Sequence, residues 1–178
     1  LTDPGNHMLQ STSAARPLAS ARVNLLQYTE DFTNGYWLNA TATVTPNYGT
    51  APDGTQTSTR LVFPGANNAI LKGNILSASV PSTASCWIKG TAGETLMLEA
   101  SLETASLVTL TGAWQRATCP RAAGQSFVIG TYGGATARDI EVWHPQFELG
   151  LTATDYQAVL GDGSTYATDF PIFQKYDG

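Results

Sequence analysis

Few residues in this chain could carry chemistry. Two histidines, His7 and His144, are the candidates for a catalytic base. Such a base needs a nucleophile and an orienting acid within hydrogen-bond reach. His7 lies in a polar opening stretch and His144 directly precedes Pro145, so neither belongs to a recognisable constellation. Three carboxylate pairs, Glu30 with Asp31, Glu99 with Glu103 and Asp139 with Glu141, are candidates for glycoside hydrolysis. That reaction needs two carboxyls about 5 to 10 Å apart across a sugar. Same-strand neighbours meet the distance by default, so the match selects nothing. The glycine-rich "YGGATAR" lacks the phosphate-loop pattern and reads as a turn. The expectation is a protein that is not an enzyme.

The tryptophans offer a different chemistry. An indole can stack on the apolar face of a pyranose, whose C–H groups meet the negative π-face. In "ASCWIKG" the period of two puts Cys86 and Ile88 on one face and Trp87 and Lys89 on the other. In "DIEVWHPQFELG" it puts Ile140, Val142 and His144 together, with Glu141 and Trp143 opposite, until Pro145 breaks the ladder. Trp87, Lys89 and Trp143 therefore form an outward strip, open to a glycan or to a partner subunit. Trp114, which starts the strand "WQRATC", reads as structural, with Ala117 and Cys119 facing inward.

The elements that must hold this strip are strands. Charged residues make up only 13% of the 178, and no stretch has the Glu, Lys, Leu and Arg content of a long surface helix. Short apolar runs such as "STRLVF", "AILKG", "TLMLEAS", "SLVTLTG" and "SFVIGTY" alternate with turn signals such as "TPNYGTAPDGT" and "FPGANN". Eight to ten strands without a crossover helix predict an all-β fold, an antiparallel two-sheet jelly-roll β-sandwich. Residues 1–21 read as an extended N-terminal arm and 22–150 as the sandwich. Residues 151–178 read as a C-terminal arm whose Tyr156, Tyr166, Phe170, Phe173 and Tyr176 would anchor it on another surface. In "ARVNLLQYTEDFTNGYW" the pattern predicts a first strand, with Val23 and Leu25 on one face and Asn24 and Leu26 on the other. Phe32 and Trp37 would close the core, and Glu30 with Asp31 would cap the turn.

A net charge of −5 and the absence of basic clusters exclude general nucleic-acid binding. No apolar run approaches a membrane span, and the first residues lack a signal-peptide pattern, so no membrane insertion is expected.

Five segments kept in order, "ARVNLLQYTEDFTNGYW", "TAPDGTQTSTRLV", "SCWIKG", "GAWQRATC" and "WHPQFELG", resemble the carbohydrate-binding-module-like jelly-roll domains of bacteriophage tail and virion structural proteins. The resemblance spans roughly residues 22–156. It implies a virion component (decoration protein, fibre or tail appendage) with other phage virion proteins as partners, assembled in the bacterial cytoplasm and located on the virion. It also implies a homo-oligomer, by the habit of such appendages a trimer. Within that setting two functions stay open: an arm-anchored structural module that aids host adhesion, and a receptor module that binds host cell-surface glycan. Jelly-roll modules of this kind often hold a structural calcium ion, for which Asn24, Glu30, Asp31 and Glu148 are the candidate ligands against a reading as hydrogen-bonded caps. No other cofactor is implied. Cytoplasmic assembly implies that Cys86 and Cys119 are free thiols rather than a cross-strand disulfide.

Overall fold

The computed structural model of the chain describes residues 23–101, 106–132 and 136–161. Ten strands follow in order: β1 Leu38–Ala40, β2 Thr43–Thr45, β3 Thr59–Phe63, β4 Ala69–Lys72 and β5 Val80–Gly90. Then come β6 Thr95–Glu99, β7 Leu107–Thr109, β8 Gln115–Gly124, β9 Phe127–Gly130 and β10 Arg138–Leu149. They form two five-stranded antiparallel sheets, β1-β4-β9-β6-β7 and β2-β3-β10-β5-β8, which make the jelly-roll sandwich expected from the sequence rhythm.

Alternation places the core between the sheets. In β3, Thr59, Leu61 and Phe63 are buried while Arg60 and Val62 turn outward. The second sheet sends Leu61, Phe63, Ala84, Cys86, Ile88, Ala117, Cys119, Ile140, Val142 and Phe147 into one cluster with Ile70, Leu96, Leu98, Phe127 and Ile129 of the first. The predicted facing of Trp87, Trp143, Ala117 and Cys119 is thus as expected. Sheet packing is close at Gly130, where a Cβ would stand 2.2 Å from the Asn68 carbonyl oxygen; only glycine fits there.

The opening segment departs from expectation. Residues 23–37 contain no strand. Leu26, Phe32 and Trp37 do reach the core, with Trp37 edge-on to Phe127 at 5.9 Å. The chain is held there by side chains in place of a ladder. Asn24, 3% exposed, accepts from the backbone N–H of Leu26 (3.2 Å) and of Phe147 (3.1 Å) through Oδ1. Its Nδ2 donates to the carbonyls of Pro145 (3.1 Å) and Gln157 (2.9 Å). A buried amide that satisfies four partners does the work a strand pair would otherwise do. At the next turn Asp31 accepts from the Thr33 amide at 2.9 Å, as the capping role required.

Residues 152–161 lie along this opening segment. The Thr29 amide donates to Val159 O (2.9 Å), and the Val159 amide donates to Thr29 Oγ1 (2.9 Å). Tyr166, Phe170, Phe173 and Tyr176 lie outside the described residues.

Candidate functional site

The outer face of the β2-β3-β10-β5-β8 sheet gathers Trp87, Lys89, Asp139, Glu141 and Trp143, all singled out from the sequence. Three neighbouring strands line up one row: Trp143 of β10 opposes Trp87 of β5, which opposes Arg116 of β8. A second row sets Arg60, Glu141 and Lys89 side by side. Lys89 Nζ lies 2.8 Å from Glu141 Oε1, and Ser58 Oγ donates to Glu141 Oε2 at 2.6 Å. Arg60 pairs with Asp139 through two bonds, at 2.7 and 2.5 Å. The Asp139–Glu141 pair is therefore spent on cations of its own sheet. Glu99, the buried member of another candidate pair, is held by Arg121 at 2.6 and 2.7 Å; Glu103 lies outside the described residues.

Two segments flank the row. Residues 46–58 form a self-braced loop: Asp53 Oδ1 accepts from the Thr55 amide and hydroxyl at 2.9 and 2.7 Å, and Gly54 takes a positive φ of 86° to turn the chain. The loop is fastened by indoles. Trp114 Nε1 donates to Thr50 O (3.0 Å) and Trp143 Nε1 donates to Thr57 Oγ1 (3.1 Å), while Lys89 Nζ lies 5.7 Å from the centre of the Trp114 ring. On the other side, residues 154–157 cross the sheet. Arg116 Nη2 donates to Thr154 O and, at 3.3 Å, to Ser85 Oγ. Buried Glu148 accepts from the Thr154 amide (2.9 Å), the Thr154 hydroxyl (2.8 Å) and Gln146 Nε2; Gln146 Oε1 accepts from the Gln157 amide at 2.9 Å.

The Pro145 break produces the feature that alternation misplaces. The register shifts between Trp143 and Gln146, and His144 adopts φ 54°. That bulge rotates His144 off the inward face expected for it. Its ring stacks between Trp143 (3.1 Å between centroids) and Tyr156 (3.5 Å). Burial pushes the His144 pKa down to about 3, against the pull of Asp53, so the ring is neutral at pH 7. Tyr156, expected in an anchoring arm, is part of this stack: its hydroxyl meets Glu30 and sits 2.6 Å from Thr29 Oγ1. Burial also raises the Glu30 carboxyl above its ordinary value. A neutral imidazole clamped between rings is a packing element; besides the rings its described neighbour is the Glu30 carboxylate, 3.6 Å from Nε2, and no Ser, Thr or Cys nucleophile is among its described contacts.

The four candidate calcium ligands do not converge. Asn24 is committed to backbone groups, Glu148 to Thr154 and Gln146, Glu30 to Tyr156, and Asp31 to Thr33. Among the described residues no group of three or more His, Cys, Asp or Glu is placed to hold a metal ion. The two cysteines are buried, free thiols on adjacent strands, Cys119 opposing Ala84 and Cys86 opposing Ala117.

Arg116 and the 46–58 loop were not marked as site residues by the sequence, and His144 was weighed only as a catalytic base. The signal for the loop was present in "APDGT", an Asp–Gly turn with a following Thr. For Arg116 it lay in the alternation that already put it opposite Ala117.

No protein-family model and no curated protein matches the chain. Solved structures do. The chain is similar to the CBM22-1 xylan-binding domain of Paenibacillus barcinonensis Xyn10C, with a TM-score of 0.46 and 15% identity over 74% of this chain and 97% of that one. It is similar to the enzymatically active domain of bacteriophage CBA120 tailspike protein 4, with a TM-score of 0.43 and 14% identity over 73% of this chain and 22% of that one. A third likeness is to the N-terminal cellulose-binding domain of Cellulomonas fimi β-1,4-glucanase C, at a TM-score of 0.42 and 12% identity over 72% and 99%. What each of those proteins binds or cleaves is a property of that protein.

Proposed function

We propose that the chain is a non-enzymatic binding module that contacts a glycan on the outer face of the β2-β3-β10-β5-β8 sheet. The observation that carries this reading is the Trp143–Trp87–Arg116 row, which turns away from the core and lies between two braced segments. Trp87 is half-buried and leaves indole surface for a sugar ring, while Lys89 and Arg116 beside it supply polar hydrogens. Trp143, His144 and Tyr156 serve as the rigid stack that fixes the floor. An oligosaccharide array probed with the chain tests the reading: binding lost in Trp87→Ala but kept in an exposed control on the other sheet, Thr109→Ala of β7, supports it. Absence of any glycan signal at millimolar ligand overturns it.

The second reading is a virion component held to neighbouring proteins, the setting implied by the sequence resemblance. The opposite face of the sandwich favours it. On the β1-β4-β9-β6-β7 sheet, Ala69, Met97 and Val128 form a separate apolar cluster with Leu71 and Tyr132, and Leu38 and Leu107 on the two edge strands are 62% and 48% exposed. Sedimentation of the chain with purified phage particles, unaffected by free oligosaccharide and lost in Leu38→Lys with Leu107→Lys, supports this reading. Equal sedimentation of that double variant overturns it.

A further inference from the structure

We infer that the glycan taken by this face is acidic, and that Arg116 receives its carboxylate; the inference rests on the glycan reading above. The described residues include six Lys and Arg side chains. Arg60, Lys89, Arg121 and Arg138 pair with Asp139, Glu141, Glu99 and Glu94. Lys72 sits 4.6 Å from the centre of the Tyr36 ring. Arg116 has no carboxylate within 4.0 Å among the described residues, although it is half-buried on the row that holds Trp87.

Its bonds leave a defined valence. Among the described residues both protein acceptors, Thr154 O and Ser85 Oγ, are met by Nη2, so the guanidinium is fixed there by one nitrogen while Nε and Nη1 keep hydrogens for a ligand. A guanidinium held in this way is preorganised for charge-assisted bonds to a carboxylate. Neighbouring strands are about 4.8 Å apart, and directly opposed Cβ atoms about 5 Å. A pyranose stacked on Trp87 therefore has its ring substituents within reach of β8.

The charges on the face divide by side. Glu30 and Asp53 lie near His144, on the β10 side, and Arg116 also reaches the His144 ring by its charge from β8. Arg116 stands at the β8 side, with Lys89 in the next row of β5. Asp155, one residue beyond the acceptor Thr154, is exposed and makes no ion pair with Arg116. A negative substituent is thus directed to β8. The chain's net charge of −5 gives a polyanion no general attraction, so recognition rests on this local group.

Calorimetry with the full chain provides the test. The probes are uronic-acid oligosaccharides, the same oligosaccharides after chemical reduction of their carboxyls, sulfated neutral oligosaccharides, and neutral xylo- and gluco-oligosaccharides. The inference expects the uronic acids to bind at least ten-fold tighter than their reduced forms. Arg116→Gln should erase that difference, Arg116→Lys should restore part of it, and Trp87→Ala should lose all binding; thermal melting of each variant monitors folding. Equal binding of acid and reduced forms, lost in Trp87→Ala, overturns the role of Arg116 and leaves the glycan reading intact. Arg116-dependent binding of the sulfated probes alone overturns the carboxylate assignment. No binding of any sugar overturns both.

Discussion

Trp87 and Trp143 stand directly opposite each other on adjacent antiparallel strands, both turned from the core, yet only Trp143, at 8% exposure, is nearly closed off from water. The loop hydroxyl of Thr57 and the His144 ring cover Trp143, whereas Trp87 keeps part of its indole open. The two substitutions to alanine should therefore separate. Trp143→Ala removes a packed ring and a hydrogen bond and is expected to cost about 3 to 5 kcal/mol of stability. Trp87→Ala should cost about half that or less, and should remove glycan binding. Urea unfolding of both variants checks the order; equal losses would contradict it.

His144 makes stability depend on pH. Its folded pKa of about 3 lies below the ordinary value of 6.5, so the unfolded chain takes up a proton between those values that the folded chain refuses. The His144 contribution is intact above pH 6.5 and falls as the pH drops, by at most about 1.4 kcal/mol per unit. Glu30 acts in the opposite sense: its raised pKa costs stability at neutral pH, and the cost is relieved as the pH falls through that value. The His144 window therefore opens at pH 6.5 and extends downward, with the Glu30 effect opposing it. Asn tolerates the positive φ at this position, so His144→Asn should show a flatter change in urea midpoint across that window than the parent.

Asn24 fastens the opening segment to both Phe147 and Gln157. Asn24→Ala strands buried backbone groups and should cost about 2 to 4 kcal/mol. Asn24→Asp keeps the acceptor but sets a carboxylate against the Pro145 and Gln157 carbonyls, and should cost at least as much. Hydrogen exchange resolves the consequence: faster exchange should appear first at Leu25, Thr29 and Val159, before the β5 and β10 amides change.

The alternation rule found the two-sheet core and the outward tryptophans because a period of two is set by backbone geometry alone. It failed where side chains replaced the ladder. Asn24 reads locally as one more polar residue of a strand; its four bonds reach residues more than 120 positions away or two along the chain, which no local pattern shows. His144 was misplaced for a related reason: Pro145 announced a break, but the direction of the turn depends on the Tyr156 ring that receives it. Tyr156 itself looked like an anchor for another molecule because its partners, Glu30 and Thr29, come from the opposite end of the chain. The edge strands β1 and β2, three residues each, are too short to show alternation.

The thiols provide a last test, of the core rather than the face. Cys86 and Cys119 are 1% and 3% exposed, and burial raises both thiol pKa values above the ordinary one; for Cys119 the Glu99 carboxylate adds to the rise. The thiolate is the reactive form, so both conditions for reaction with a thiol reagent are withheld in the folded state. At pH 8 a disulfide reagent such as DTNB should label neither cysteine of the native chain within minutes and both after unfolding in urea. Rapid labelling of Cys119 alone would mean that β8, an edge strand closed on one side only by β5, opens independently of the sandwich. Labelling that instead tracks global unfolding, with the same urea midpoint as tryptophan fluorescence, would make β8 part of the single cooperative core, as the packing of Cys119 within the inter-sheet cluster requires.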